Sequence, residues 1–138
     1  MKRHGSVLIV VVLVLLVCTS GAQDKSANRV LSADEARDLV YEALRPTGAT
    51  KLPKFGLDQY KDRYFPEFLF FESTWENPEP GSAVNGHLAV NLRTGDVWET
   101  VGCKRLTTPS LRKLQEAIHK RFGLTKREYR KLKCKKPC

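Results

Sequence analysis

Histidine, cysteine and acidic residues are the side chains of this sequence that could carry acid–base, nucleophilic or metal chemistry. Apart from His4 near the N-terminus, the histidines are His87 and His119. A serine or cysteine nucleophile would need one of them as its general base. No Gly-x-Ser-x-Gly turn marks such a nucleophile. We therefore expect His87 to be an exposed or packed residue near a strand start, and His119 to be solvated on a basic helix.

Carboxylates that could pair for general acid–base work occur at Glu72 and Glu76, and at Glu67. Such pairs act in catalysis when a pocket shifts their pKa values. The sequence indicates no such pocket, so these glutamates are expected to be solvated strand or loop residues. It also contains no glycine-rich loop for a phosphate. The sequence therefore favours a non-catalytic protein without a cofactor, and an unrecognised hydrolase is the alternative.

Three cysteines in the C-terminal third, Cys103, Cys134 and Cys138, raise a question of pairing. In an oxidising compartment an odd number permits one disulfide and leaves one thiol. The preferred bridge joins Cys103 to Cys134 or to Cys138, which would fasten the tail to the body of the protein. The alternative is a local bridge between Cys134 and Cys138, with Cys103 buried and free. A zinc site with His119 as fourth ligand lacks the tight pairs typical of such sites, so no metal is predicted.

The N-terminus has the three parts of a secretory signal peptide. Residues 2–4 are basic, and residues 7–17 form an apolar run of eleven residues. Ser20 and Ala22 then supply the small residues that precede a cleavage site. This pattern predicts removal of residues 1–22 and a secreted or periplasmic mature protein.

Two other fates of the N-terminus are less favoured. An apolar run of this length spans only about half of a ~30 Å hydrocarbon core, which disfavours a retained membrane anchor. After cleavage no transmembrane span is expected. Lipid attachment at Cys18 is disfavoured because Val17 is bulkier than the small residue that usually precedes a lipidated cysteine.

Charge is distributed unevenly along the predicted mature chain. Residues 23–103 contain nine basic and thirteen acidic residues, a net charge of −4, whereas residues 104–138 contain thirteen basic and two acidic residues, a net charge of +11. The basic third predicts binding to anionic lipid, lipopolysaccharide or a polyanionic wall polymer, with a merely solvated surface as the alternative. Nucleic acid is not expected as a partner, because export is predicted and Tyr129 is the only nearby aromatic for base stacking. The predicted anion-binding residues are Arg112, Lys113, Lys120, Arg121, Lys126, Arg127, Arg130, Lys131, Lys133, Lys135 and Lys136.

Helix signals occur on both sides of the centre of the chain. Ser32 and Glu35 form a capping box before an amphipathic stripe. Thr108 caps a second helix that ends at Gly123, and Thr125 begins a third, short helix. Residues 47–62 are expected to be a connecting stretch with room for one short strand near residues 55–57.

The centre of the chain has the composition of a β-meander. Aromatic and β-branched residues predict strands at about residues 68–75, 86–92 and 97–101. Residues 93–96 form a tight turn, in which Gly95 is free to adopt a positive φ.

These elements predict an α+β fold: an antiparallel three-stranded sheet with an N-terminal helix packed on one face, and C-terminal helices. The predicted organisation is a disordered linker at 23–31, a single domain at 32–133 and a basic cysteine-containing tail at 134–138. Because aromatic residues dominate interface hot spots, they are the candidates for partner binding, with burial in a sheet core as the alternative. The candidates are Phe71, Trp75 and Trp98. The predicted core includes Leu39, Val40, Phe70, Val90 and Leu114.

Two stretches together carry a resemblance to known families. One is the helix start Ser32-Ala33-Asp34-Glu35-Ala36, and the other is the hairpin Gly86-His87-Leu88-Ala89-Val90-Asn91-Leu92-Arg93-Thr94-Gly95-Asp96-Val97. Over about residues 32–101 the chain resembles PepSY-like domains and a class of small bacterial immunity proteins. The resemblance implies a small extracytoplasmic binding or inhibitory module and supplies no catalytic residues. The expected function is that of an inhibitor or accessory protein of an envelope enzyme, with a protein partner in the cell envelope.

Overall fold

The computed structural model describes residues 29–138, in which three α-helices and five strands form one α+β unit. The predicted signal peptide at 1–22 and most of the predicted linker at 23–31 lie outside the described residues. Within residues 29–138, no helix has the length and apolar character needed to cross a membrane. The elements are α1 (Ala33–Leu44), β1 (Gly56–Tyr60), β2 (Phe68–Thr74), β3 (Val84–Asn91), β4 (Val97–Glu99), β5 (Lys104–Arg105), α2 (Pro109–Phe122) and α3 (Lys126–Leu132).

The predicted caps set the helix boundaries. In α1 the Ser32 hydroxyl accepts from the Glu35 amide at 3.2 Å, and the Glu35 carboxylate accepts from the Ser32 amide at 2.9 Å. At the start of α2 the Thr108 hydroxyl accepts from the Leu111 amide at 3.1 Å, and Gly123 ends that helix with a φ of 65°. Thr125 begins α3 with a second capping box. Each N-terminal cap satisfies amide groups that the first helical turn leaves without a partner.

The sheet is a meander in which each strand pairs antiparallel with the next, in the order β1-β2-β3-β4-β5. The prediction of three strands was therefore wrong in number. β1 overlaps the short strand that the sequence allowed near residues 55–57, but it was not counted in the predicted sheet, because it is an edge strand whose polar residues Asp58 and Gln59 are exposed. β5 consists of Lys104 and Arg105, two basic residues that no apolar pattern would assign to a strand.

One face of the sheet carries the main core. α1 and α2 pack on this face, where alternate strand residues such as Phe71 and Val90 are fully buried. This alternation follows from the two-residue period of strand side chains. The core members with no more than 2% exposure are Ala36, Leu39, Val40, Phe71, Leu88, Val90, Val97 and Leu111.

Two predicted core residues are placed differently. Phe70 is buried, but it lies in a second cluster on the opposite face of the sheet, with Phe68, Ala89 and Trp98. Leu114 was expected in the core, yet it is 42% exposed. The cause is the rotation of α2, which directs Leu111 and Gln115 inward and leaves Leu114 beside α1.

The C-terminal tail is fastened to the body of the protein at two points. Lys135 Nζ lies 3.0 Å from a carboxylate oxygen of Glu67, which precedes β2. Cys138 forms a disulfide with Cys103, at the turn between β4 and β5. Pro137 between them is buried. The tail is thus held against the sheet rather than free.

Candidate functional site

The turn between β3 and β4 is the most buried polar feature of the described chain. Thr94 is fully buried and Asp96 is 2% exposed. The Asn91 side-chain oxygen accepts from the amides of Arg93 and Thr94, and Gly95 has a φ of 72°. Turns between strands usually lie at the surface in contact with water. In this protein it is instead the point onto which β5, α2 and α3 converge.

Asp96 is the centre of a hydrogen-bond network. The Thr94 hydroxyl donates to Asp96 Oδ2 at 3.0 Å, and the Tyr129 hydroxyl donates to Asp96 Oδ1 at 3.0 Å. Arg105 donates to the Tyr129 oxygen at 3.0 Å and lies 3.6 Å from Asp96 Oδ1. Burial, and then the Asp96 charge, raise the pKa of Tyr129. The network therefore ties β5 and α3 to the turn through a neutral phenol.

Two side chains of α2 bind the backbone of the same turn. Gln115 donates to the Gly95 carbonyl at 2.9 Å. His119 Nε2 lies 2.8 Å from the Thr94 carbonyl, and because a carbonyl oxygen only accepts, Nε2 carries the proton. The imidazole ring is 4.5 Å from the Tyr129 ring. His119 was expected to be solvated, but it is half-buried and holds the turn.

Gly95 provides a sharp test of this docking. A Cβ at Gly95 would lie 3.1 Å from Ile118 Cδ1 and 3.2 Å from Leu39 Cδ1, whereas a Cβ at Gly48 meets nothing within 4 Å. Both glycines have a positive φ, of 72° and 80° respectively. Alanine at either position should cost about 1–2 kcal/mol in backbone strain. We expect urea unfolding to give a larger loss for Gly95→Ala than for Gly48→Ala, and equal losses would contradict the close packing.

A polar cavity of about 340 Å³ opens beside the network. Within it Arg105 faces the Asp96 carboxylate, His119 is bound to a carbonyl and Tyr129 is bound to both Arg105 and Asp96. These groups are thus engaged in holding the fold. The cavity is lined by Arg105, Thr107, Arg112, Gln115, Glu116, His119 and Tyr129.

An apolar groove of about 220 Å³ lies between α1 and α2. Its apolar lining comes from Leu39, Leu114, Ala117 and Ile118. An ion pair between Glu35 of α1 and Arg121 of α2 bridges the two helices at this groove.

The hydrogen bond from the Ser32 amide, and then the contact with Arg121, lower the pKa of Glu35. A lowered folded-state pKa stabilises the protein at pH values above the ordinary glutamate pKa. This contribution is lost as the pH falls through the lowered pKa.

The aromatic residues predicted to bind a partner have little exposed surface. Phe71 is fully buried in the main core, and Trp98 is 6% exposed in the second cluster. Trp75 is half-buried at the end of β2. Tyr60 and Tyr64, which the prediction did not include, are 42% and 71% exposed.

The cysteines adopt one of the two preferred pairings. Cys103 and Cys138 are disulfide-bonded, and Cys134 is an exposed free thiol. Among residues 29–138, no cluster of three or more histidine, cysteine, aspartate or glutamate side chains has the arrangement of a metal site.

The eleven basic residues predicted to bind anions are all exposed. Two of them are neutralised within the described chain, since Arg121 pairs with Glu35 and Lys135 pairs with Glu67. The others lie along the outer surfaces of α2 and α3 and in the tail.

Comparison with known proteins places this fold. No family model matches the chain, and no curated protein matches it. A solved structure does match: a chain in the structure of a type VI secretion system effector-immunity complex from Pseudomonas protegens. The two chains are 26% identical with a TM-score of 0.64, and the match covers 75% of this chain and 87% of that chain.

This neighbour agrees with the immunity-protein resemblance of residues 32–101, whereas no comparison supports the PepSY resemblance. The likeness to a chain of a protein–protein complex is compatible with a small binding or inhibitory module that has a protein partner. The disulfide is compatible with a secreted or periplasmic location, since such bonds persist in oxidising compartments.

Proposed function

We propose that this chain is an exported immunity-type protein that binds an effector protein in the cell envelope and blocks its action. The observation that carries the proposal is the likeness to a chain of an effector–immunity complex, which extends over 87% of that chain. The sequence resemblance around the Thr94-Gly95-Asp96-Val97 turn favours the immunity side of such a pair. The disulfide between Cys103 and Cys138 supports work outside the cytoplasm.

The proposal is tested by capture followed by a growth assay. The tagged chain is used as bait on the envelope fraction of its source organism, and the captured proteins are identified by mass spectrometry. Each candidate is then expressed in a test bacterium with an export signal, with and without this chain. We expect one salt-resistant partner that stops growth alone and permits growth when this chain is present.

Two outcomes would overturn the proposal. If this chain itself stops growth when exported, it belongs on the effector side of the pair. If every captured protein is harmless, the chain does not neutralise a toxin.

A second candidate function is binding to anionic polymers or lipid of the envelope. The observation that favours it is the exposure of all eleven predicted basic residues, nine of which have no carboxylate partner within the described chain. A lysine near an anionic surface contributes about 1 kcal/mol to binding, and salt screens that attraction.

A charge-reversal pair tests this second function. Because two lysine contacts are lost, Lys126→Glu with Lys131→Glu should lower partitioning onto phosphatidylglycerol vesicles about 30-fold at low salt. The matched control reverses Lys51 and Lys61, which are exposed elsewhere on the protein. Equal effects of the two pairs, or vesicle binding that is insensitive to salt, would contradict a role for the basic helices.

A further inference from the structure

We propose that the apolar groove between α1 and α2 receives a large apolar side chain of the partner, on a segment that also carries acidic residues. The inference rests on the proposed function and names the contact through which it acts. The groove measures about 220 Å³. Its lining consists of the apolar residues Leu39, Leu114, Ala117 and Ile118 and the charged residues Glu35, Asp38 and Arg121. An engineered apolar cavity of about 150 Å³ holds a benzene molecule, so this groove has room for an aromatic ring or a leucine side chain.

The first argument is the exposure of Leu114. It is 42% exposed on a helix whose solvent face is otherwise strongly charged. A leucine in this position does not complete the core, since α2 is anchored by Leu111 and Gln115. Its exposed area contributes instead to the wall of the groove, where contact with a partner would remove it from water.

The second argument is the charge on α1 and α2, the two helices that form the sides of the groove. On α2, Lys113 and Lys120 lie in one row with Ala117, because residues three and four apart are neighbours on a helix. Both lysines are exposed, and neither pairs with a carboxylate among residues 29–138. On α1, Glu35 and Asp38 line the groove; Glu35 is neutralised by its ion pair with Arg121 of α2, whereas Asp38 is exposed and without a partner in that range.

These charges indicate which kind of partner segment the groove would bind. A segment with acidic residues beside its apolar anchor would place them over the lysines of α2 and away from Asp38. The net charge of +11 over residues 104–138 would also attract such a segment from a distance. The occupant is therefore an acidic amphipathic segment of the protein partner, bound in the manner of a helix in a groove.

Filling the groove tests the proposal. Ala117→Trp places a large side chain in the groove, and Glu116→Trp places the same side chain at the neighbouring polar cavity. Both positions are exposed, so both variants should fold, which circular dichroism would verify. The probe is anilinonaphthalene sulfonate, which combines aromatic rings with an anionic group. We expect saturable binding to the wild-type chain, loss of that site in Ala117→Trp and retention in Glu116→Trp.

The same variants are then measured against the partner captured by the wild-type chain. Loss of a central interface contact typically weakens binding 30-fold or more, and that loss is expected for Ala117→Trp. Glu116→Trp should bind within about threefold of the wild type. Lys113→Glu with Lys120→Glu should weaken binding and reduce its salt dependence.

Each contrary result has a distinct meaning. If Ala117→Trp retains the dye and the partner, the groove is not a binding site and the inference fails while the proposed function stands. If Glu116→Trp alone loses the partner, the polar cavity is the contact and the inference is also wrong. If the wild-type chain captures no toxic partner, the proposed function fails, and the partner inference fails with it.

Discussion

Replacing Asp96 with alanine is expected to lower the free energy of unfolding by about 3 kcal/mol. The carboxylate accepts hydrogen bonds from Thr94 and Tyr129 and lies 3.6 Å from Arg105. Its removal leaves two hydroxyl donors without their acceptor and leaves the Arg105 guanidinium, which is only partly in water, without its counter-charge. Removing one partner of a buried ion pair costs about 3–5 kcal/mol, and the exposed part of Arg105 places this case at the lower end. Urea unfolding followed by circular dichroism measures the loss.

Asp38→Ala is the control for this prediction, because Asp38 is an exposed aspartate with no partner among the described residues. It should change stability by no more than about 0.5 kcal/mol. A double-mutant cycle with Tyr129→Phe should then give a coupling energy between Asp96 and Tyr129, since they share a hydrogen bond. A loss below about 1 kcal/mol for Asp96→Ala, or additive effects in the cycle, would mean that the network does not hold α3.

The same network makes the stability of the folded protein depend on pH in the alkaline range, in a direction that can be stated. Burial and the Asp96 charge raise the pKa of Tyr129 above the ordinary tyrosine value, so the folded chain keeps a proton that the unfolded chain has released. Stability therefore falls as the pH rises from the ordinary tyrosine pKa through the raised one. Tyr60 acts in the same direction, because burial raises its pKa as well.

The local signals in the sequence were sufficient for most of the fold. Capping boxes at Ser32 and Thr125, and Gly123 at the end of α2, depend on hydrogen bonds between residues a few positions apart. Such contacts can be predicted from the sequence of a single chain. β5 could not be predicted, because Lys104 and Arg105 form a strand only through their pairing with β4.

The candidate site was much less predictable. Asp96 follows Gly95 in a short turn, and that composition is typical of an exposed hairpin. Its burial depends on Tyr129 and His119, which come from separate helices more than twenty residues later in the chain. The groove beside Leu114 was also not predictable, because the apolar periodicity of α2 is consistent with Leu114 on the buried face of that helix. In the structure the inward face of α2 carries Leu111, Phe122 and Gln115, and Gln115 donates a hydrogen bond to the distant Gly95 carbonyl.

Removal of the disulfide should have the largest effect on stability, about 4 kcal/mol. Cys103 and Cys138 are 35 residues apart, and opening a loop of that length restores roughly this amount of chain entropy to the unfolded state. The variant that tests it is Cys103→Ser with Cys138→Ser, because a single substitution would leave Cys134 able to pair with the remaining cysteine. Urea unfolding under non-reducing conditions measures the loss.

The structural consequence of that variant follows from what the tail contacts. Without the disulfide, the tail is held by the pair between Lys135 and Glu67, whose side chains are 57% and 27% exposed, and such surface pairs contribute about 1 kcal/mol or less. Release of the tail would remove Pro137 from its buried position, which amide exchange of the neighbouring residues would report. Cys134→Ser is the control and should leave stability unchanged, since that thiol is exposed and free. If Cys134→Ser is instead as damaging as the double variant, Cys134 takes part in the bridge, and the pairing of Cys103 with Cys138 is wrong.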